Sequence, residues 1–215
     1  MEVKSMVLLF SGGVDSTTLL ALCQKNQYDV FPLYINYGQR AHRLEEEAVQ
    51  KLGQHYDVPV KRAVVPIPAF LNGSQMMNKE EKLPVIKDEG QAFAEEFIPH
   101  RNLFLLTLAA MYAHSLGIST IGLGIYSGSR LRYSDCTLEF LQKAQEMITI
   151  SSGNSAIRIY APFIHMDKGQ ITKIAADLDV PVHATVSCNM GIYRSCGVCA
   201  SCIERQRVLN NVFKG

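Results

Sequence analysis

The chain has 215 residues, of which 47% are hydrophobic and 19% are charged, and its formal net charge is +1. This composition suffices for one large hydrophobic core and argues against a disordered chain. It also disfavours direct nucleic-acid binding, because no basic tail or charge block adds a local attraction for a polynucleotide.

The chain has no run of about 18 uncharged apolar residues, the length that a membrane-spanning helix needs. Its first ten residues, MEVKSMVLLF, lack the longer apolar region and the cleavage site of a signal peptide. We therefore expect a cytoplasmic protein without membrane contact.

Apolar runs of strand length alternate with helix-like segments along the chain. The expected strands cover residues 6–10, 30–35, 60–65, 119–125 and 157–163, and the expected helices cover residues 15–26, 43–56, 101–116, 138–151 and 168–178. Such alternation predicts an α/β fold with a Rossmann-like, doubly wound and mostly parallel sheet. Residues 66–99 carry several prolines and little periodicity, which indicates a functional insertion or a lid-like loop.

The stretch FSGGVDSTT, residues 10–18, follows the first apolar run and opens the first helix. A helix N-terminus offers backbone amides to an anion, and Gly12 and Gly13 allow a phosphate to approach the backbone closely. The loop lacks the Gly-Lys-Ser/Thr ending of a P-loop and the spacing of the dinucleotide fingerprint. The alternative is a plain strand-to-helix turn in which Asp15 caps the helix instead of holding a Mg²⁺ that accompanies a nucleotide.

Four of the six cysteines lie near the C-terminus: Cys188, Cys196, Cys199 and Cys202. Gaps of two residues let successive thiolates turn onto one ion, and four sulfurs satisfy a tetrahedral structural Zn²⁺. An iron–sulfur cluster and a redox-active thiol segment are the alternatives. We expect a nucleotide-binding domain over residues 1–185 and a small zinc-binding segment over residues 186–215 packed on it.

SGGVDS resembles the pyrophosphate-binding loop of the PP-loop ATP pyrophosphatase superfamily, whose fold is of the adenine nucleotide alpha-hydrolase type. Together with the four cysteines, it makes the chain similar to the QueC-type 7-cyano-7-deazaguanine synthases of queuosine precursor biosynthesis. Further pieces similar to that family occur in order, namely INYGQR, IPHRN, SDCTLEF and APFIHMDK.

The resemblance implies an ATP-dependent carbon–nitrogen ligase that releases AMP and pyrophosphate. It would adenylate 7-carboxy-7-deazaguanine and, with ammonia, convert the acid through the amide to the nitrile. The implied cofactors are ATP as a substrate, Mg²⁺ and Zn²⁺, and the implied assembly is a homodimer.

Site residues follow from matching positions. The implied catalytic residues are Ser11, Asp15, Ser16 and Arg101. The implied ATP-binding residues are Phe10, Ser11, Gly12, Gly13, Val14, Asp15, Ser16, Thr17, Thr18, Leu19, Leu20, Tyr37, Gln39 and Arg40. The proposed substrate-binding residues are Arg101, Asn102, Asp135, Glu139 and Lys168, with Asp135 and Glu139 expected on one helix face; for each, a capping or surface role is the alternative.

The chain departs from the family pattern in segments expected to face the acid. This chain has Ile125 where the family has an acidic residue, Asn189 where the family has a tyrosine, and His100 where the family has a small residue. It also has the residues SRLR inserted before Tyr133. Three alternatives therefore remain beside the synthase: a paralogue that diverts the activated acid to another amide product, a tRNA sulfur-transfer enzyme, and a non-catalytic nucleotide-binding module.

Overall fold

A parallel sheet of five strands forms the centre of the computed structural model, which describes residues 4–65, 77, 96–126 and 133–212. The strands are β1 (Ser5–Leu9), β2 (Asp29–Asn36), β3 (Lys61–Val64), β4 (Thr120–Gly122) and β5 (Arg158–Tyr160). They lie in the order β3-β2-β1-β4-β5, and every pairing is parallel. All five predicted strands are confirmed.

Strand β1 lies in the middle of the sheet, where Val7 pairs with Phe31 on one side and with Ile121 on the other. Because the chain builds outward from β1 in both directions, the strand order reverses beside it. In doubly wound sheets, this reversal opens a crevice at the carboxyl ends of the strands, where ligands bind.

The described residues form six α-helices. They are α1 (Val14–Lys25), α2 (His42–His55), α3 (Arg101–Ser115), α4 (Leu138–Ser152), α5 (Lys168–Asp177) and α6 (Ala200–Val212). The first five were predicted to within a few residues. The sixth was not, because the cysteine spacing dominates that part of the sequence. No helix among the described residues is long and apolar enough to cross a membrane.

The two faces of the sheet bury different helices, as the alternation of side chains along β1 requires. Val7 and Leu9 pack with the buried side chains of α3 and α4, whereas Met6 and Leu8 pack with those of α1, α2 and α5. The predicted doubly wound α/β fold is therefore confirmed. Nearly all of the predicted insertion at residues 66–99 lies outside the described residues.

Candidate active site

A cavity of about 690 Å³ lies at the carboxyl ends of β1, β2 and β4, where the strand order reverses. The structure brings the glycine loop, the start of α3, the start of α5 and the cysteine segment together around it. The predicted site residues that line it are Phe10, Ser11, Gly13, Val14, Asp15, Ser16, Tyr37, Gln39, Arg101, Asn102, Lys168 and Cys188.

The glycine loop forms the N-terminal end of α1. Gly12 has φ of 72°, and a Cβ there would lie 3.0 Å from Ala48 Cβ and 3.1 Å from Val49 N, so a side chain does not fit. Gly13 is the N-cap, and Ser16 Oγ lies 3.3 Å from Ser11 Oγ. The helix thus presents its amides and positive dipole end to the cavity, the arrangement that binds phosphate.

Lys168 and Asp15 form an ion pair beside this loop. Lys168 Nζ lies 2.6 Å from Asp15 Oδ1 and 2.7 Å from Oδ2. Asp167 caps α5 through a hydrogen bond from Gln170 N, so the capping role weighed for this segment is present as well. The cap orients the first turn of α5, and Lys168 reaches from it into the cavity.

Several predicted ligand residues do not line the cavity. Thr17 and Thr18 donate their hydroxyl protons to the carbonyls of Gly13 and Val14, which satisfies them within α1. Gly12, Leu19, Leu20 and Arg40 are likewise not among the lining residues, and Leu19 and Leu20 pack in the core.

The expectation that Asp135 and Glu139 share a helix face is wrong. Asp135 lies in a separate 3₁₀ turn, Ser134–Cys136, and α4 begins only after Thr137, whose hydroxyl accepts a hydrogen bond from Phe140 N. Asp135 Oδ2 accepts from Asn102 N at 3.1 Å, and Asn102 Nδ2 donates to the Asp135 carbonyl at 2.9 Å. Asp135 therefore holds the start of α3 in place, while Glu139 is exposed.

Arg101 enters the cavity from the first residue of α3. Burial alone would lower the pKa of its guanidinium, but Tyr37 and Asp135 favour the charged form and raise that pKa above its usual range. The cavity therefore contains a permanent cation that suits a carboxylate or a phosphate. His100, immediately before it, adopts φ of 64°, in the left-handed region that glycine adopts most readily.

A half-buried polar group that the sequence analysis missed, Glu45, lies in the first turn of α2 and lines the cavity. Gln39 Nε2 donates to Glu45 Oε2 at 2.6 Å, and Gln39 Oε1 accepts from Tyr37 N at 2.8 Å. Burial raises the pKa of the Glu45 carboxyl, although hydrogen bonds from Gln39 and Tyr34 lower it in part. Gln39 thus orients Glu45, and its own amide is engaged by protein atoms.

Helix α6 supplies a further part of the cavity wall. Its inner side brings Ala200, Ser201, Glu204, Arg207 and Val208 to the cavity wall. Tyr126, after β4, donates to Glu204 Oε2 at 2.6 Å, and the Lys168 ammonium lies 5.2 Å from the Tyr126 ring centroid. A chain of contacts therefore joins α6 to the Lys168–Asp15 pair.

The four predicted metal ligands converge at the start of α6, with their sulfur atoms within 4.8 Å of one another. Backbone amides of Gly191 and Cys196 donate to Cys188 Sγ at 3.0 and 3.2 Å, and Cys199 N donates to Cys196 Sγ at 3.3 Å. Such donors stabilise thiolates. The donor set therefore fits a metal ion with four sulfur ligands.

Glu96 joins the short segment before α3 to the cysteine segment. Its side chain is fully buried, accepts from Ala200 N at 2.8 Å and accepts from Asn189 Nδ2 at 2.6 Å. The bond to Ala200 N satisfies an amide at the N-terminus of α6. Asn189, one of the departures from the related motif, thus has a defined partner; the inserted SRLR lies outside the described residues.

Among solved structures, a 4-thiouridine synthetase in complex with RNA and with bound ATP is similar over 98% of this chain and 51% of that chain, at a TM-score of 0.55 and 15% identity. At this identity the likeness concerns the fold alone.

Sequence relatives extend over nearly the whole chain. The 7-cyano-7-deazaguanine synthase 1 of Desulfitobacterium hafniense (strain Y51) is 36% identical over 210 residues, which cover 97% of this chain and 93% of the relative. The 7-cyano-7-deazaguanine synthase of strain DSM 10664 / DCB-2 is 34% identical over 207 residues, with 94% and 87% covered. The family model described as "Queuosine biosynthesis protein QueC" matches residues 5–213. The chain belongs to the QueC family.

Proposed function

We propose that the chain is a 7-cyano-7-deazaguanine synthase, an ATP-dependent ligase that makes a queuosine precursor. The observation that carries the proposal is the convergence, in one cavity, of the α1 N-terminus, the Lys168–Asp15 pair and Arg101. The first two suit a triphosphate, and Arg101 suits the carboxylate that must be activated.

The reaction proceeds in two activations. In the first, a carboxylate oxygen of 7-carboxy-7-deazaguanine attacks the α-phosphorus of ATP, and the bond to pyrophosphate breaks. Ammonia then displaces AMP from the acyl adenylate, loses a proton and leaves the amide. In the second, the amide oxygen attacks the α-phosphorus of another ATP, and the bond to a second pyrophosphate breaks. Loss of AMP, which carries that oxygen away, and of the two remaining amide protons gives the nitrile.

The residues of the cavity contribute positioning and charge compensation. Amides at the start of α1 and the Lys168 ammonium stabilise the charge that develops on departing pyrophosphate. Asp15 is the carboxylate at this loop, and we assign it as the group that holds the Mg²⁺ bound with ATP.

For the cysteine cluster we propose zinc. A tetrahedral Zn²⁺ with bonds of about 2.3 Å separates its sulfur ligands by about 3.8 Å. Cys196 Sγ and Cys202 Sγ lie 4.0 Å apart, close to that value. A cluster of several iron atoms would hold the four sulfurs farther apart. We also propose that residues 186–215 form a small segment packed on the domain of residues 1–185; the hydrogen bond from Val186 N to the Gly12 carbonyl joins this segment to the glycine loop.

The protonation state of Cys136 disfavours sulfur transfer. Cys136 lines the cavity and does not belong to the four-cysteine cluster. The pKa of this thiol is raised to about 12, mainly by burial. The neighbouring Asp135 also raises the pKa, by more than the amount by which Arg101 lowers it. At neutral pH the group is therefore a thiol and not the thiolate that attacks in sulfur chemistry.

Product analysis tests the proposed function. The chain, ATP, Mg²⁺, ammonium and 7-carboxy-7-deazaguanine are incubated, with pyrophosphate and product masses followed over time. We expect pyrophosphate release that depends strictly on the acid, first the amide mass and then the nitrile mass. Accumulation of the amide alone would identify a diverted paralogue, and ATP binding without any pyrophosphate release would identify a non-catalytic module.

We also propose a homodimer formed through α3 and α4. Their outer faces expose apolar side chains, among them Met111 at 65%, Met147 at 59% and Ile150 at 75%. Sedimentation velocity at micromolar concentration is expected to give twice the chain mass, and Ile150→Glu is expected to give the single mass. Gln142→Glu, an exposed change on the same helix outside the apolar positions, serves as the control; a monomeric parent chain contradicts the proposal.

A further inference from the structure

Glu45 is a half-buried carboxylate of the cavity that has no role in the two activation steps. Its position is fixed by two neutral donors: Gln39 Nε2 at 2.6 Å and Tyr34 OH at 3.2 Å, both to Oε2. Oε1 accepts no hydrogen bond from the residues that the structure describes. Glu45 lines the cavity, so a molecule bound there can donate a hydrogen bond to Oε1 in place of water.

Glu45 and the phosphate site lie at different positions along the edge of the sheet. Glu45 follows β2, whereas Lys168 follows β5, and these strands lie on opposite sides of β1. The other buried or half-buried carboxylate at the loop, Asp15, is already paired with Lys168 through both oxygens. A ligand whose phosphates lie at α1 and Lys168 can therefore place an uncharged ring on the Glu45 side.

The donor that fits is uncharged. Arg101 favours the charged form of Glu45 electrostatically, which reduces the attraction of this place for a second cation. An exocyclic amino group on a heteroaromatic ring offers a neutral N–H in the ring plane, and carboxylates accept strongly from such groups.

We propose that Glu45 accepts a hydrogen bond from the exocyclic amino group of a purine-type ring bound in the cavity, and that Gln39 is the residue that positions it. The inference rests on the proposed function, which brings two such rings: the adenine of ATP and the deazaguanine. Both present the same chemistry, and the binding experiment separates them.

Glu45→Gln is the informative change. Gln39 Nε2 must still find an acceptor, so the new amide turns its oxygen toward Gln39 and its NH₂ toward the position of Oε1. A donor then faces the ligand's donor. We expect the Kd of the recognised ligand to rise about 10- to 100-fold, and the Kd of the other ligand to change less than about twofold.

Calorimetric titrations use ATP and 7-cyano-7-deazaguanine singly, together with the counterpart of each that lacks the amino group. The parent chain is expected to bind the counterpart of the recognised ligand, which lacks the amino group, about 10- to 100-fold more weakly than the ligand itself. The Glu45→Gln chain is expected to bind the recognised ligand and its counterpart with equal affinity. A loss confined to ATP assigns the adenine, and a loss confined to the nitrile assigns the deazaguanine. Glu46→Gln is the matched control, because Glu46 is the next residue of α2, accepts from Asn36 and does not line the cavity.

Three results overturn the inference: unchanged binding of both ligands by Glu45→Gln, a loss of both with continued discrimination against the missing amino group, or no binding of either ligand by the parent chain. The last also removes the proposed function. Binding that depends on Glu45, combined with no pyrophosphate release, overturns the proposed function alone.

Discussion

Replacement of Cys199 by serine is expected to remove the bound metal and to reduce pyrophosphate release below detection. Cys199 is fully buried, directly precedes α6 and shares the cluster with Cys202 inside that helix. A serine hydroxyl is a far poorer ligand for zinc than a thiolate, and a structural zinc contributes of the order of 10 kcal/mol to the folding of the segment that it binds.

The activity should fall because α6 forms one wall of the cavity. Without the metal, the helix loses the anchor at its N-terminus, and Glu204 no longer holds Tyr126 beside Lys168. The site would thus lose both its wall and the neighbour of its phosphate-binding cation. The β-sheet does not depend on the cysteine cluster and should remain folded.

Metal content per chain, ATP affinity and hydrogen exchange of the α6 amides measure this effect together. Cys23→Ala is the control, because Cys23 lies on α1, is buried against Met6 of β1 and belongs to another core cluster than the four ligands. It should keep the metal and the activity. Full activity of Cys199→Ser without metal would show that the cluster does not build the site.

How much the sequence predicts depends on whether a feature is local. Strand β1, helix α1 and the loop between them follow from neighbouring residues, because an apolar run, two glycines and a helix N-terminus need no distant partner. The four cysteines follow from spacing alone. The predictions for these elements agree with the positions that the structure gives them.

The remaining parts of the site depend on tertiary contacts between distant positions. Glu45 and Glu204 belong to surface-like helical sequences, and only the packing of α2 and α6 against the strand ends turns them inward. The prediction for Asp135 was wrong for a local reason. Because Thr137 caps α4, the helix begins after Asp135, and the four-residue spacing from Asp135 to Glu139 does not lie within one helix. Caps outweigh spacing when the two conflict.

Replacement of Lys168 by methionine is expected to lower the rate of pyrophosphate release about 100- to 1000-fold, the usual cost of removing one charge-stabilising donor from a preorganised site. The Lys168 and Asp15 side chains are only 12% and 20% exposed, so the ion pair is poorly screened. Without the ammonium, only the amides of α1 and the Mg²⁺ that we assign to Asp15 compensate the charge that develops on departing pyrophosphate.

Charge and shape are separated by two companion variants. Lys168→Arg keeps a cation and should recover part of the rate, whereas the double change of Asp15→Asn with Lys168→Met should release pyrophosphate no faster than Lys168→Met alone, because Asp15 is the group that we assign to hold Mg²⁺. Lys143→Met removes a lysine from an exposed pair with Glu146, whose side chains are 69% and 59% exposed, and should leave the rate unchanged. If Lys168→Met releases pyrophosphate as fast as the parent chain, Lys168 does not act on the phosphates and its bond to Asp15 only joins α5 to α1.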